Sequence, residues 1–243
     1  MIDNKPEDFE KEGRLFHHIE QMYIASKGFE SYWQNKRKEF IFSILVSFRS
    51  DNKTVLDVGC AEGLYVDYSR ELGYFAVGCD ISMTKLKRAE PKGYYIHCDA
   101  QHLPFKDDSF DIVMLNRVLE YIPNDKKAIS EAFRVAKKYL IITVPNEYGS
   151  MAGMIYKKIR GRRIYVHEWG VKHRNYTLKD LISLIADKGE ILLLQGIPPV
   201  HAFSPFTKII PHKILSLLDS LLSRFKVFKT FGCDIGLIIR VRK

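Results

Sequence analysis

From Thr54 to Val144 the chain alternates short, β-branched apolar runs with longer segments of helical periodicity, and no other feature restricts its fold as strongly. The runs 54–58, 75–80, 94–98, 111–115 and 139–144 read as strands. Helices are expected between them, from about Gly63 to Leu72, from Met83 to Ala89, and from an Asn124 cap through Lys138. Strands joined by helices of this length must pair in parallel, which implies a doubly covered sheet with helices on both faces. Further on, Thr177-Leu178-Lys179-Asp180 forms a capping box for a helix ending at Gly189, and 190–195 and 235–241 supply two last strands. Upstream, Tyr32/Trp33, Lys36/Arg37, Phe40/Ile41, Ile44/Leu45 and Phe48 recur at helical spacing. The expected organisation is one domain: a helical cap over residues 1–50 and an α/β, Rossmann-like core over 51–243, with extra segments at 147–172 and 198–233.

Composition removes several alternatives. With 243 residues the chain can bury a core without disulfides or metal. Its four cysteines form no CxxC pair, which argues against a zinc module and fits a reducing cytosol. No apolar run reaches the length of a membrane span, and the acidic start is unlike a secretory signal, so a cytoplasmic location is expected. The formal charge of +9 invites a nucleic-acid or membrane reading.

In a parallel sheet, ligands bind beyond the carboxyl ends of the strands, so the turns after Val58, Cys79, Cys98 and Leu115 carry the chemistry. The first reads Asp57-Val58-Gly59-Cys60-Ala61-Glu62-Gly63. Gly59 permits a sharp turn and close ligand approach, and Gly63 lets the next helix start against the strand. A nicotinamide-binding turn would carry a third glycine where Ala61 stands. Asp80 ends the second strand, 23 positions after Asp57; it can take the ribose hydroxyls of an adenosine or, alternatively, open the next helix. Asp99, after the third strand, can accept from an adenine amino group, with the backbone of the following residues meeting the ring.

The series VLDVGCAEG, GCD, CDAQHLPFKDDSFDIV and VLEYI resembles class I S-adenosylmethionine-dependent methyltransferases, of the group acting mostly on small molecules and lipids. The likeness covers about residues 54–196 and implies a seven-stranded sheet with an antiparallel last strand. It implies that S-adenosyl-L-methionine lies across the first strand ends. Asp57, Gly59, Cys60, Ala61 and Gly63 would line its methionine and ribose side. Asp80 would hold the ribose, Ile81 would cover the adenine, and Asp99, Ala100 and Gln101 would meet its polar edge. Asn116 would border the methionine part. Family members often carry glycine in place of Ala61 and histidine in place of Tyr121, so no uniform catalytic role transfers to position 121.

The related group commonly has a histidine just before a Tyr-Thr helix start, which here is His173. It is the candidate base or substrate ligand, with Tyr121, His167 and Glu168 as substrate-side neighbours. Packing of the loop or capping of the helix is the structural alternative. No metal site is expected: His167 and His173 lack an acid cluster, and Cys60, Cys79 and Cys98 recur every 19 residues with the strand–helix repeat. The charge is unevenly placed, with residues 1–144 summing to −1 and residues 145–243 to +10. That excess accompanies the basic run Lys157–Arg163 and a wide apolar helical stripe through Ile214, Leu215, Leu217, Leu218, Leu221, Leu222, Phe225 and Phe228, flanked by Lys208, Lys213, Arg224, Lys226 and Lys229. The stripe could be core, a dimer face, a lid or a membrane-surface helix. A small or lipid-like, anionic acceptor, methylated on oxygen, fits best. RNA methylation is the rival, although Val144-Pro145-Asn146-Glu147 lacks the N-P-P-aromatic turn used for base amino groups. A cofactor-binding protein without catalysis is the alternative of a different class.

Overall fold

A computed structural model describes residues 2–8, 10, 29–51, 53–89, 93–150, 155, 164–166, 171–199, 210–225 and 230–243. Helix α1 (Phe29–Ser47) leads into β1 (Thr54–Val58), α2 (Leu64–Glu71), β2 (Phe75–Asp80), the single turn α3 (Met83–Leu86) and β3 (Tyr94–His97). Then come β4 (Phe110–Asn116), a 3-10 turn at Leu119–Tyr121, α4 (Asp125–Val135) and β5 (Ala136–Pro145). A short hairpin of β6 (Ile164–Val166) and β7 (Lys172–Arg174) precedes α5 (Leu178–Ile185), β8 (Gly189–Ile197), α6 (His212–Leu222) and β9 (Asp234–Val241).

Seven strands form one sheet in the order β3-β2-β1-β4-β5-β9-β8. Six run parallel; β9 alone is antiparallel, inserted between β5 and β8. This is the expected Rossmann-like sheet with its antiparallel last strand. β1 lies between β2 and β4 with helices packed on both faces, so four of its five residues are buried, Asp57 among them. Alternation divides the core in two. Leu56, Val58, Val113, Leu115, Leu140 and Ile142 meet Ile129 and Phe133 of α4 and Leu181 and Ile185 of α5. On the other face Val55, Ile112, Met114 and Ile141 meet Ile41, Ile44 and Leu45 of α1 and Val66 of α2. Each such side chain contributes about 1.5–3 kcal/mol on burial, so α1 is bound to the sheet as firmly as the crossover helices.

Several boundaries differ from the sequence reading. Helix α4 stops at Val135, and Ala136, already extended, begins β5 opposite Phe110. Lys137 and Lys138 were expected to be helical, but strand pairing outweighs their helix propensity. Helix α3 ends at Leu86 instead of continuing to Ala89. The β6–β7 hairpin was not expected; it pairs Tyr165 with His173. No helix among the described residues is long and apolar enough to cross a membrane. The basic run 157–163, with His167 and Glu168, lies outside the described residues.

Candidate functional site

The chain winds outward from β1 through β2 to β3, then returns to place β4 on the other side of β1. The reversal leaves a crevice at the carboxyl ends of β1 and β4. A cavity of about 510 Å³ opens there, a volume suited to a nucleoside-sized ligand.

The first turn is shaped for close approach. Gly59 and Gly63 have φ of 76° and 89°, and Ala61, at 49°, also lies in the left-handed region. The Gly59 and Cys60 amides donate to the Cys79 carbonyl at 2.7 and 3.0 Å, folding the turn back over β2. A methyl group at Gly59 would strike Val118, and one at Gly63 would strike the Tyr95 ring. Ala61 donates its amide to Asp80 Oδ2 at 2.9 Å, while Asp80 Oδ1 accepts from the Ser82 amide at 2.8 Å. Asp80 therefore ties the first turn to the second, and the cap of α3 is Ser82, whose hydroxyl accepts from the Lys85 amide.

Asp57 is fully buried, yet its Oδ2 has no hydrogen-bond partner among the described residues. Burial, and secondarily the charge of Asp80, push its carboxyl up to about 7. A buried carboxylate with an open acceptor on a cavity wall is matched by a cationic ligand group. At the opposite end, Asp99 accepts the Gln101 amide at 2.8 Å and holds the Gln101 side chain against both its oxygens. Ile81 and Ala100 line the cavity beside them. Asn116, at the end of β4, accepts the Thr143 hydroxyl and borders the same space. The cofactor-side residues named from sequence thus stand around one cavity; Gly63 alone is set behind the wall, at the start of α2.

The acceptor side is arranged differently from expectation. Tyr121 lines the cavity, and its carbonyl accepts from Asn4 Nδ2 at 3.0 Å. His173 does not line it; its ring lies 6.0 Å from that of Tyr121, inclined at 52°. The strand carrying His173 is anchored by Arg174, which holds Asp125 at 2.7 Å, and by Asn4, which bonds both to and from the Lys172 backbone. His167 and Glu168 lie outside the described residues.

A charged cluster was missed altogether. Arg117, with φ of 56°, donates to Asp234 Oδ1 at 2.7 Å and sits 2.9 Å from Glu120 Oε1. Asp234 Oδ2 accepts from Trp33 Nε1 at 3.1 Å and from Arg37 Nη1 at 3.4 Å. The two guanidinium carbons lie 5.0 and 5.5 Å from the Trp33 ring, within cation–π range. Burial raises the Glu120 carboxyl to about 7 although Arg117 opposes the rise, and the Asp234 and Glu120 charges hold the Arg117 guanidinium above its ordinary value against desolvation. Trp33, Arg37 and Arg117 all line the cavity. One signal was available: Arg37 falls four residues after Trp33 and four before Ile41, on the buried side of α1, where a charge demands a partner.

A family profile described as "Methyltransferase domain" matches residues 56–142. An uncharacterized protein of Methanocaldococcus jannaschii is 30% identical over 186 residues, covering 73% of this chain and 74% of that one. The malonyl-[acyl-carrier protein] O-methyltransferase of Buchnera aphidicola is 36% identical over 89 residues, about a third of either chain. Among solved structures, the 1,6-didemethyltoxoflavin-N1-methyltransferase of Burkholderia thailandensis, bound to S-adenosylhomocysteine, superposes with a TM-score of 0.60 at 15% identity, covering 99% of this chain and 92% of that one.

Proposed function

We propose, because the chain belongs to the class I S-adenosylmethionine-dependent methyltransferases, that it methylates a hydroxyl oxygen of a small or lipid-like acceptor bearing negative charge. S-adenosyl-L-methionine is its methyl donor, and when bound it supplies an electrophilic methyl on a sulfonium. The observation that carries the donor's placement is the open, buried acceptor of Asp57 at the strand-end crevice. Asp57 is assigned to the donor's ammonium end, with Gly59, Cys60, Ala61 and Gly63 shaping the wall beside it. Asp80 keeps acceptor capacity for the ribose hydroxyls after its two backbone bonds, since an ionised carboxylate offers about four lone-pair directions. Ile81 covers the adenine face, and Asp99, Ala100 and Gln101 meet its edge. Asn116 borders the methionine portion.

On the acceptor side, Tyr121 forms the near wall and His173 stands behind it. A hydroxyl must lose its proton as it attacks, and an imidazole suits that task near neutral pH. His173 is assigned as that base, or as the group positioning Tyr121. His167 and Glu168 are assigned to the acceptor region. The excess of positive charge after residue 144 favours an anionic acceptor, because the donor half carries none of it. A relative matched over about a third of its length is named an O-methyltransferase, which agrees with oxygen as the acceptor atom.

Calorimetry with S-adenosylmethionine and S-adenosylhomocysteine, followed by transfer of radiolabelled methyl to separate lipid, metabolite and RNA fractions, tests this reading. Label is expected in the lipid or acidic metabolite fraction as a base-stable methyl ether. Label confined to RNA removes it. His173→Ala is expected to lower turnover about 100-fold or more while leaving S-adenosylhomocysteine affinity within twofold. Unchanged turnover removes the assignment of His173.

A further inference from the structure

Among the described residues, several buried side-chain polar atoms lack a hydrogen bond, but only two belong to residues lining the cavity: Asp57 Oδ2 and Arg37 Nε. One is an acceptor and the other a donor. They reach the cavity from different elements, Asp57 from β1 and Arg37 from α1, which packs on the β1 face that carries position 57.

The charges around Arg37 are unequally shared. Arg117 sits 2.7 Å from Asp234 and 2.9 Å from Glu120, so two carboxylates flank one guanidinium. Arg37 reaches only the second oxygen of Asp234, at 3.4 Å, and Trp33 already donates to that oxygen at 3.1 Å. Stacking of Trp33, 5.0 Å from its guanidinium carbon, holds the Arg37 fork in place. The Glu120 carboxyl feels the Arg37 charge more weakly than that of Arg117, and the Tyr65 phenol, raised by burial, feels both the Arg37 charge and hydrogen bonds to Arg37 and Asn116. Arg37 thus has the weaker share of the cluster's carboxylates and an unused donor, and with Asn116 it lines the crevice.

We propose that Arg37 binds the α-carboxylate of the methyl donor, opposite the ammonium that Asp57 takes. The inference rests on the donor placement given above. The amino-acid end of the donor is a zwitterion, and the two unsatisfied buried atoms at the cavity belong to one acid and one base. Asp234 and Trp33 act as positioning residues that aim the Arg37 fork. Docking of the donor then ties α1 to the strand ends through the ligand, so the N-terminal helix is part of the donor site.

The test uses ligands that differ only at this end. S-adenosylhomocysteine carries the amino-acid group, and 5′-methylthioadenosine keeps the adenine, ribose and thioether without it. Both are titrated calorimetrically into the parent protein, Arg37→Gln and Arg37→Lys. Arg37→Gln is expected to weaken S-adenosylhomocysteine by about 10- to 100-fold, the loss of a charge-assisted hydrogen bond, and to leave methylthioadenosine within twofold. Arg37→Lys keeps the cation but not the fork and is expected to fall between. Equal weakening of both ligands overturns the proposal, because it marks a purely structural role. Unchanged S-adenosylhomocysteine affinity overturns it as well. Should Arg37→Gln fail to fold, Trp33→Phe, which frees the fork without removing it, is expected to weaken S-adenosylhomocysteine selectively; equal effects on the two ligands overturn the proposal there too. A parent protein that binds neither ligand overturns the donor placement itself.

Discussion

Asp57 is the residue whose chemistry and stability effects are most tightly joined. Its carboxyl is raised to about 7 in the ligand-free fold by burial and by Asp80, far above the value of an exposed aspartate. The folded state therefore holds a proton that the unfolded chain has released, between about pH 4 and pH 7. Stability from this group is intact at acid pH and is lost as pH rises through 7. Glu120, also raised to about 7, adds a slope of the same sign. Melting temperatures at pH 5.5 and 8 are expected to fall with pH in the parent protein and to fall less in Asp57→Asn; an identical slope in both excludes Asp57 as a source. A cationic donor favours the ionised carboxylate, so affinity for S-adenosylmethionine is expected to rise from pH 6 to pH 8, a trend that Asp57→Asn abolishes. At Gly59 the constraint is steric: φ is 76° and a methyl group would enter Val118. Gly59→Ala is expected to destabilise the fold by about 1–3 kcal/mol and to weaken donor binding more than tenfold. Asp57, Gly59 and Asp80 were legible as residues because strand ends and turns are local signals. Arg117 was not, since nothing local shows that its partner lies 117 positions away in Asp234.

At the level of elements, α1 is held to the sheet by an apolar face and by one polar knot. Asp234 begins β9, and its two oxygens accept from Trp33, Arg37 and Arg117. Asp234→Asn leaves the Arg117 guanidinium with Glu120 alone, so a loss of about 3–5 kcal/mol is expected in urea unfolding. Trp33→Phe removes one hydrogen bond and is expected to lower stability by only about 1 kcal/mol. Equal losses in the two variants contradict the central place given to Asp234. The strands were readable from β-branched runs, and α5 from its capping box, in which Thr177 and Asp180 bond reciprocally. Element ends were less readable: α4 yields to β5 at Ala136 because the strand pairs with Phe110, a contact the local sequence does not encode. The hairpin holding His173 was hidden for the same reason, its register being set by Tyr165 across the turn.

For the whole molecule, the uneven charge and the exposed face of α6 belong together. Ile214, Leu217 and Leu221 are exposed along one side of that helix, with Phe225 exposed just beyond its end, while Leu215, Leu218 and Leu222 turn inward towards Tyr32. Lys213 and Arg224 flank the exposed stripe. Such a stripe with a basic rim suits an anionic bilayer surface, in keeping with a lipid-like acceptor. Binding to vesicles containing anionic phospholipid is expected, with Leu217→Glu/Leu221→Glu reducing it at least fivefold and leaving S-adenosylhomocysteine affinity intact. Equal binding of the double variant removes the membrane reading. The segment before α1 also spans the molecule: Asn4 bonds to Tyr121 and Lys172, while Glu10 accepts from the Met83 and Thr84 amides at the start of α3.

The sequence by itself determined the parallel architecture, the place of the strand-end turns and the family, because period, strand-end acids and glycine spacing act over a few residues. It also showed that the positive charge lies away from the donor half. Only the tertiary structure decided that Trp33 and Arg37 of α1 line the strand-end cavity, that His173 lies near Tyr121 but off the cavity wall, and that Trp33, Arg37, Arg117 and Asp234 form one cluster. Those facts depend on groups brought together across nearly the whole chain, and a buried charge takes its meaning from the partner that folding supplies.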